Sequence, residues 1–291
     1  MRLSALVASL ALVLGIGSCD EESNDLVRVV LRPSTALTTD ELNGARDVMA
    51  ARIQRLDKGG TIERRGQELV AELPRSGIER AVSVLVKEGK LEVFDLQGDL
   101  LEPTIDANGN PRPSAGRLRA RKGSVLLRCG PPATYCPGVE AVPAGRGFHY
   151  YLVRYQPNDR ARPAPQLTGA DFKVDEIRQE FDPSGGPVVL LSFTSEGAEK
   201  FEKLTLVLAE RGRVHHNRLG GEPSNTFQQL AIVVDRQILS APAVDFEVNP
   251  AGISANAGVQ IAQFGPLEEA RDLAIALQSG QLPAPFHRLR E

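Results

Sequence analysis

The sequence is poor in aromatic residues and contains no tryptophan. Of its 291 residues only 5% are aromatic, whereas 20 are proline and 27 are glycine. Few large side chains together with many prolines predict a core of small apolar residues and several connecting loops. An apolar content of 42% and a charged content of 24% are ordinary for a globular protein, and the length allows two modest domains or one domain with an insertion.

An excess of basic charge is also absent, since the formal net charge is −3. A nucleic-acid-binding face normally shows as an excess of lysine and arginine, so the composition gives no reason to expect nucleic acid as a partner. The local candidate is the arginine-rich stretch from Arg112 to Lys122. We interpret this stretch as a solvated loop.

Signatures of catalysis and of metal binding are missing as well. The sequence has no P-loop, and the Gly-Arg-Gly of Gly145 to Gly147 lacks the flanking strand and helix of such a loop. Ser240 lacks the G-x-S-x-G surroundings of a hydrolase nucleophile. The adjacent His215 and His216, with Glu222, favour an exposed polar loop over a metal site. We therefore expect no enzyme, no metal and no other cofactor.

The N-terminus has the features of an export signal. Arg2 is followed by the apolar segment Leu3 to Ile16 and then by small residues up to Cys19. Such a segment is typical of a signal peptide and is too short for a comfortable membrane-spanning helix. A cysteine directly after small residues resembles the bacterial lipobox, which implies a signal peptide over residues 1–18 and lipidation of Cys19. An ordinary signal peptide with an incidental cysteine, or an uncleaved anchor, is the alternative.

Long apolar runs are absent after Cys19, because no later stretch approaches the ~20 residues that a transmembrane helix needs. With residues 19–25 as a polar tether, we predict a protein anchored to the cell membrane by its lipid and folded on the extracytoplasmic face. In such an oxidising compartment Cys129 and Cys136 are candidates for a disulfide. Two free thiols are the competing interpretation.

Residues 26–97 predict a ferredoxin-like (split βαβ) unit, which we name the base. Strand, helix, two strands, helix and strand follow one another in the βαββαβ order of that fold. The first helix begins at a cap near Thr39 and carries apolar residues at three- and four-residue spacing. The second helix is capped by Ser76, and the last strand is Lys90 to Asp95.

The rest of the chain divides into three segments. Residues 98–165 are rich in glycine, proline, asparagine and aspartate, and predict a loop-rich insertion with two strand candidates. Residues 166–257 predict a second α+β unit, with a helix from Thr194 to Ala209 between buried strands, among them Asp171 to Phe181. Residues 258–291 predict a strand and a helix. The predicted fold class is therefore α+β with two units.

A buried hairpin is predicted from Gln229 to Pro242. Its first strand is followed by a turn at Asp235, and its second strand reaches Val248. Aspartate is favoured in such turns because its side chain bonds the local backbone, so we interpret Asp235 as a turn residue and not as a functional carboxylate.

Four blocks of sequence follow one another in the second half of the chain. They are Leu167 to Asp171 (LTGAD), Gly186 to Phe201 (GPVVLLSFTSEGAEKF), Ala231 to Pro242 (AIVVD and SAP) and Glu268 to Pro285 (EEARDLAIALQSGQLPAP). In this order and at these separations they resemble the SecD family, the protein-export membrane subunit of SecDF. Arg28 to Arg55, Val70 to Pro74 and Leu91 to Phe94 resemble the opening of the same extracytoplasmic region.

The resemblance implies a ferredoxin-like base with an inserted SecD-type head, here residues 166–257, and a return of residues 258–291 toward the base. It also implies a function in Sec-dependent translocation, with the translocating preprotein or translocon subunits as partners. Family members carry membrane helices that couple proton flow to preprotein movement. Since a lipobox stands here in place of the first helix, we expect only the extracytoplasmic part of that function, contact with the emerging polypeptide or the translocon.

The alternative is a cell-envelope lipoprotein that has become a binding module for another protein or ligand. The sequence identifies no polypeptide-binding residue for either hypothesis.

Overall fold

The computed structural model describes residues 25–57, 59–103, 120–130, 136–137, 148–262 and 265–289. The helices are α1 (Thr39–Leu56), α2 (Ile78–Leu85), α3 (Leu96–Asp99), α4 (Ser195–Leu219) and α5 (Leu267–Gln278). The strands are β1 (Leu26–Pro33), β2 (Thr61–Arg65), β3 (Glu68–Pro74), β4 (Leu91–Asp95), β5 (Leu100–Pro103), β6 (Ser124–Cys129), β7 (His149–Arg154), β8 (Leu167–Thr168), β9 (Arg178–Phe181), β10 (Pro187–Leu191), β11 (Gln228–Val234), β12 (Gln237–Ser240), β13 (Ala243–Val244), β14 (Val259–Ile261) and β15 (Phe286–Arg288). This mixture confirms the α+β class.

The described strands form three sheets. The base sheet has the order β15-β1-β3-β2, and a small head sheet has the order β14-β10-β9. The large sheet has the order β5-β7-β6-β12-β11-β4-β8, and β13 pairs with β11 beside that path. Within the described strands β6 and β12 pair in parallel, whereas the neighbours of β11 are antiparallel to it.

The base is completed by a strand that comes from the far end of the chain. The prediction that Lys90 to Asp95 completes the base sheet is wrong, because β4 pairs with β11 and β8 in the large sheet. All five residues of β4 are buried, which suits a strand that is covered on both faces. Its place in the base is taken by β15, whose Phe286 pairs with Pro33 of β1.

The caps of the two base helices differ by one residue from the prediction. Thr38, not Thr39, caps α1, because Glu41 stands three residues after it and completes a capping box: the Glu41 carboxylate accepts from the Thr38 N–H at 2.8 Å. The N-cap of α2 is Gly77 and not Ser76, and no side chain bonds the backbone there.

The predicted insertion of residues 98–165 is more regular than its composition indicates. Both strand candidates are confirmed as β6 and β7, and β5 adds a third strand. All three lie side by side in the large sheet. The apolar side chains of Val125, Leu127 and Val153 form a core with Phe94 and Val233 on one face of that sheet, so burial organises a segment whose loops dominate its composition.

Two strands of the head are shorter than predicted and one helix is longer. From Asp171 to Phe181 only β9 is a strand, preceded by short 3-10 turns. The strand predicted to reach Val248 is interrupted at Pro242, which cannot donate to a ladder hydrogen bond. Helix α4 continues ten residues beyond Ala209 and ends at Gly220, whose N–H donates to the His216 carbonyl at 2.8 Å.

The C-terminal segment is shared between the two units. Ala270, Leu273 and Leu277 of α5 belong to the same core as β10 and α4, whereas Leu282 and Phe286 belong to the base core. The prediction that residues 258–291 return to the base therefore holds for the tail but not for the inner face of α5.

A buried arginine joins the base to α5. Arg52 of α1 is fully buried, and burial lowers its pKa to about 10. Its guanidinium donates to the carbonyl oxygens of Val84, Leu85 and Lys87 at the end of α2 and of Ala276 and Gly280 at the end of α5. Carbonyl groups at a helix C-terminus lack intrahelical donors and carry partial negative charge, so one cation stabilises both ends.

The predicted lipobox with Cys19, most of the Arg112 to Lys122 stretch and the Gly145 to Gly147 fragment lie outside the described residues. Among the residues that are described, no helix is both long and apolar enough to span a membrane.

Candidate functional site

A groove lies between α4 and the loop of residues 157–166, and we name it the α4 groove. It encloses about 430 Å³, a volume in the range of sites that accept small ligands or a few side chains. Five basic side chains line it, those of Arg160, Arg162, Lys200, Lys203 and Arg211, together with apolar Ala161, Pro163, Leu204 and Val207 and the polar Asp95 and Gln166.

One wall of the groove is the solvent-facing side of α4. Lys203, Val207, Arg211 and Val214 recur every three or four residues, so they lie along one face of the helix. Val207 is 44% exposed and Val214 is 51% exposed. This face therefore alternates basic and apolar side chains in contact with solvent, while other faces of α4 pack in the head core.

The opposite wall is a loop that its own hydrogen bonds hold in shape. The Gln156 N–H donates to the Ala164 carbonyl at 2.7 Å, and the Ala164 N–H donates back at 3.2 Å. Inside the loop the Asp159 carboxylate accepts from the N–H groups of Ala161 and Arg162 at 3.0 and 3.2 Å. The backbone that carries the two loop arginines is thus ordered before any ligand arrives.

A buried ion pair between Arg154 and Asp99 supports this loop. The Asp99 carboxylate accepts from Arg154 Nη2 at 2.7 Å and from Gln166 Nε2 at 2.8 Å. Burial raises the pKa of Asp99, against the lowering effect of these hydrogen bonds from Gln166 and Arg154. Arg154 also donates to the carbonyl oxygens of Arg162 and Pro163, so the loop is fixed to the end of α3 through one side chain.

A second ion pair fixes α4 to the large sheet. Arg211 contacts the Asp95 carboxylate with both terminal nitrogens, at 2.5 and 3.0 Å, and its Nε donates to Gln228 at 2.9 Å. Asp95 also caps α3 by accepting from the Gly98 N–H at 2.8 Å. The bidentate geometry makes this a directional contact between α4 and the end of β4.

Some basic side chains of the groove remain without an acidic partner after the ion pairs of the described residues are taken into account. Lys200 contacts Asp171 at 2.7 Å and Glu196 at 2.8 Å, and its hydrogen bonds to them raise its pKa. Arg160 and Lys203 form no salt bridge with any described residue. Two exposed cations are therefore free to contact a ligand.

Comparison with known proteins places the groove within a recognised unit. Residues 155–284 match the family model of the SecDF P1 head subdomain. The chain carries a SecD-family head region. This SecD-type head contains both walls of the α4 groove, and it extends beyond the predicted limits of residues 166–257 in both directions.

A relative and two solved structures agree with this assignment. Protein translocase subunit SecD of Aquifex aeolicus is 32% identical over 155 residues, which cover 53% of this chain and 24% of that protein. A crystal structure of SecDF in a super-membrane-facing form matches with a TM-score of 0.58 and 25% identity, over 91% of this chain and 30% of that one. A structure of SecDF, a membrane component that enhances protein export, has a TM-score of 0.55 and 24% identity over 91% of this chain and 99% of that one, which shows the fold alone. The chain thus spans about a quarter of the length of the Aquifex relative.

Asp235 of the SecD-type head lies in the hairpin turn, as the sequence predicted. Asp235 and Arg236 both have positive φ, 51° and 63°, as in the turns that suit a two-residue hairpin. The Asp235 carboxylate accepts from the Lys90 N–H at 2.8 Å, and the Asp235 N–H donates to the Lys90 carbonyl at 3.1 Å. Its contacts connect the turn to the start of β4.

The histidines do not lie in the exposed loop that the sequence predicted. His215 and His216 lie in the last turns of α4, and the His216 ring packs against Phe246 with centroids 5.7 Å apart. Within the described part of the chain, no group of three or more His, Cys, Asp or Glu side chains could hold a metal ion. Ser240 is a strand residue that pairs with Ile232.

The two cysteines are joined in the structure. Cys129 at the end of β6 forms a disulfide with Cys136, with 5.7 Å between the Cα atoms. Both residues are fully buried against the apolar face of the large sheet.

The sequence interpretation missed the α4 groove. The signal on α4 is present in the sequence, since Lys203, Val207, Arg211 and Val214 have helical spacing, but it becomes visible only when the helix extends to Leu219. The loop wall carries no such signal, because its position depends on long-range contacts to Asp99.

Proposed function

We propose that this protein is a lipid-anchored, extracytoplasmic component of Sec-dependent protein export, whose head contacts the emerging polypeptide or the translocon. The observation that carries the proposal is a SecD-type head with an open groove of apolar and basic side chains. Grooves that combine apolar surface with a few fixed polar groups are common in peptide recognition. The relative from Aquifex aeolicus, a protein translocase subunit, supports the export context.

The protein acts by binding and not by catalysis in this proposal. Its relatives are translocase subunits, and a groove that binds polypeptide needs no reacting group. The disulfide between Cys129 and Cys136 is compatible with an oxidising extracytoplasmic compartment.

The membrane anchor is tested at Cys19. Cells grown with a radiolabelled or clickable fatty acid should label the wild-type protein and leave Cys19→Ser unlabelled, with the variant lost from the membrane fraction. Equal labelling of Cys19→Ser would contradict lipidation at this residue.

The contact with polypeptide is tested by photo-crosslinking in export-active membranes. A photoreactive amino acid at Val207, which lines the groove, should label an arrested exported chain or a translocon subunit. The matched control is Phe181, which is also apolar and 57% exposed but does not line the groove. Equal labelling from Phe181, or labelling of neither target from Val207, would contradict the proposal.

The same experiment addresses the alternative function. Reproducible labelling of one cell-envelope protein with no part in export would favour a repurposed binding module, and a deletion strain would then export its substrates at the normal rate.

A further inference from the structure

We infer that the α4 groove selects extended polypeptide segments that carry an acidic side chain beside apolar ones, an inference that rests on the proposed function. The selectivity follows from the charges that remain free in the groove. Five of its lining side chains are basic and one, Asp95, is acidic, and Asp95 is already occupied by Arg211. A carboxylate in the groove would therefore meet a cationic surface.

The free cations lie on both walls. Arg160 belongs to the loop wall and Lys203 to the α4 wall, and neither has an ion-pair partner in the described part of the chain. Both side chains belong to exposed residues, so a carboxylate can reach them without displacing a protein group. Arg162 lies two residues after Arg160 in the same loop. It donates to the Gly98 carbonyl and lies 3.9 Å from Asp99, so it is less available to bind a carboxylate of the ligand.

Apolar side chains line the same groove as these cations. Val207 is exposed, whereas Leu204, which follows Lys203 in the sequence, is buried. On the other wall, Ala161 and Pro163 complete the apolar lining. An extended chain places successive side chains on opposite sides, so an apolar residue can enter the groove while its neighbours contact the basic rim.

Binding of a polypeptide to the groove should cost little conformational entropy of the protein, because both walls are already ordered by internal contacts. The loop is closed by the Gln156 and Ala164 backbone pair and supported by Arg154, while Arg211 fixes α4. Preorganised walls favour affinity because fewer groups lose freedom when the ligand binds.

The molecule as a whole does not attract acidic ligands, since its net charge is −3. A preference for acidic segments would therefore arise locally, from the groove, and not from the overall charge. General electrostatic attraction to the protein would therefore not explain preferential binding of acidic segments.

The test uses the full chain in detergent and three fluorescent eight-residue peptides. All three share the same leucine and valine positions, and their remaining positions are glutamate, glutamine or lysine. Fluorescence anisotropy at low ionic strength should show the glutamate peptide binding about fivefold to tenfold more tightly than the glutamine peptide, as expected for two exposed ion pairs. The lysine peptide should bind most weakly, and added salt should reduce the difference.

Charge reversal assigns the preference to the groove. The double variant Arg160→Glu/Lys203→Glu should lose the preference for the glutamate peptide. The control Arg64→Glu/Arg213→Glu makes the same change in net charge at two exposed arginines outside the groove and should keep the preference. Circular dichroism shows whether both variants keep the wild-type fold.

Three results would overturn the inference. The first is equal affinity for the three peptides while Val207 still crosslinks to exported chains, in which case the proposed function stands without charge selection. The second is loss of the preference in the Arg64→Glu/Arg213→Glu control. The third is binding to phosphatidylglycerol vesicles that Arg160→Glu/Lys203→Glu abolishes, with no binding of any peptide, which would assign the groove to a membrane surface.

Discussion

Gly197 lies in the first turn of α4, directly against the backbone of Asp171. A Cβ atom at this position would overlap the Asp171 carbonyl oxygen, which is a rigid backbone atom. Gly44 in α1 offers the opposite case, since nothing lies within 4 Å of the place where its Cβ would stand. Both glycines are helical, so they differ in packing and not in secondary structure.

Gly197→Ala should lower the free energy of unfolding by about 2–3 kcal/mol, because the helix must shift to make room. Gly44→Ala should raise it by about 0.5–1 kcal/mol, since alanine has the higher helix propensity and meets no neighbour. Urea unfolding followed by circular dichroism measures both. Changes of the same sign in the two variants would contradict the packing explanation.

Arg52 is the buried residue on which the junction between base and α5 depends. Arg52→Met should lower the free energy of unfolding by about 3 kcal/mol, because buried carbonyl oxygens at two helix ends lose their donor. Arg55→Met is the control, since Arg55 is exposed and, among the described residues, its side chain donates only to the Ala51 carbonyl one turn away. A similar loss in both variants would mean that the carbonyl contacts of Arg52 contribute little.

At the scale of elements, the helix starts were more predictable than the helix ends. Thr194 accepts from the Gly197 N–H at 3.0 Å, as its position before an apolar pattern predicted. The end of α4 was missed because its last ten residues are mostly polar, and polar residues carry little periodicity. Packing explains their helical form: Gly212 lies against Phe246 and the Thr226 carbonyl, a contact between distant segments.

The capping box of α1 gives a pH-dependent prediction. Hydrogen bonds from the Thr38 backbone and side chain lower the pKa of Glu41. A carboxylate whose pKa is lower in the folded state stabilises the fold above its unfolded-state pKa, and this stabilisation is lost as the pH falls through the folded-state value. Wild type should therefore be more stable than Glu41→Gln at pH 7, and the difference should shrink as the pH falls below the ordinary pKa of glutamate.

The control for this measurement is Glu210→Gln, which removes one exposed carboxylate from the middle of α4. Its stability difference from wild type should be small at pH 7. A Glu41→Gln difference that stays constant from pH 7 to pH 3 would contradict the linkage.

At the scale of the whole molecule, the base and the head cannot be separated by one cut in the chain. The head lies between α2 and β15, and β15 pairs with the C-terminal end of β1. Leu282 and Phe286 fill the base core although most of the chain separates them from the other members of that core. Stability of the base therefore depends on the last residues of the sequence.

Phe286→Ala should lower the free energy of unfolding by about 3 kcal/mol, the usual effect of removing a buried aromatic side chain. His287→Ala, at the exposed neighbouring position of the same strand, should leave it nearly unchanged. Hydrogen exchange would locate the effect, with faster exchange expected in β1 and β3. Exchange that changes only in α5 would contradict the placement of Phe286 in the base core.

The sequence by itself determined the α+β class, the order of most elements and the SecD-type head, because short-range patterns and sequence blocks carry that information. It could not determine which sheet receives a given strand. Asp95 ends a strand that fits the local βαββαβ pattern, yet its position beside Arg211 depends on burial and pairing between residues far apart in the chain. The α4 groove has the same origin, since its two walls meet only through such long-range contacts. The two cations without an ion-pair partner among the described residues can be identified only when the positions of all neighbouring charged side chains are known.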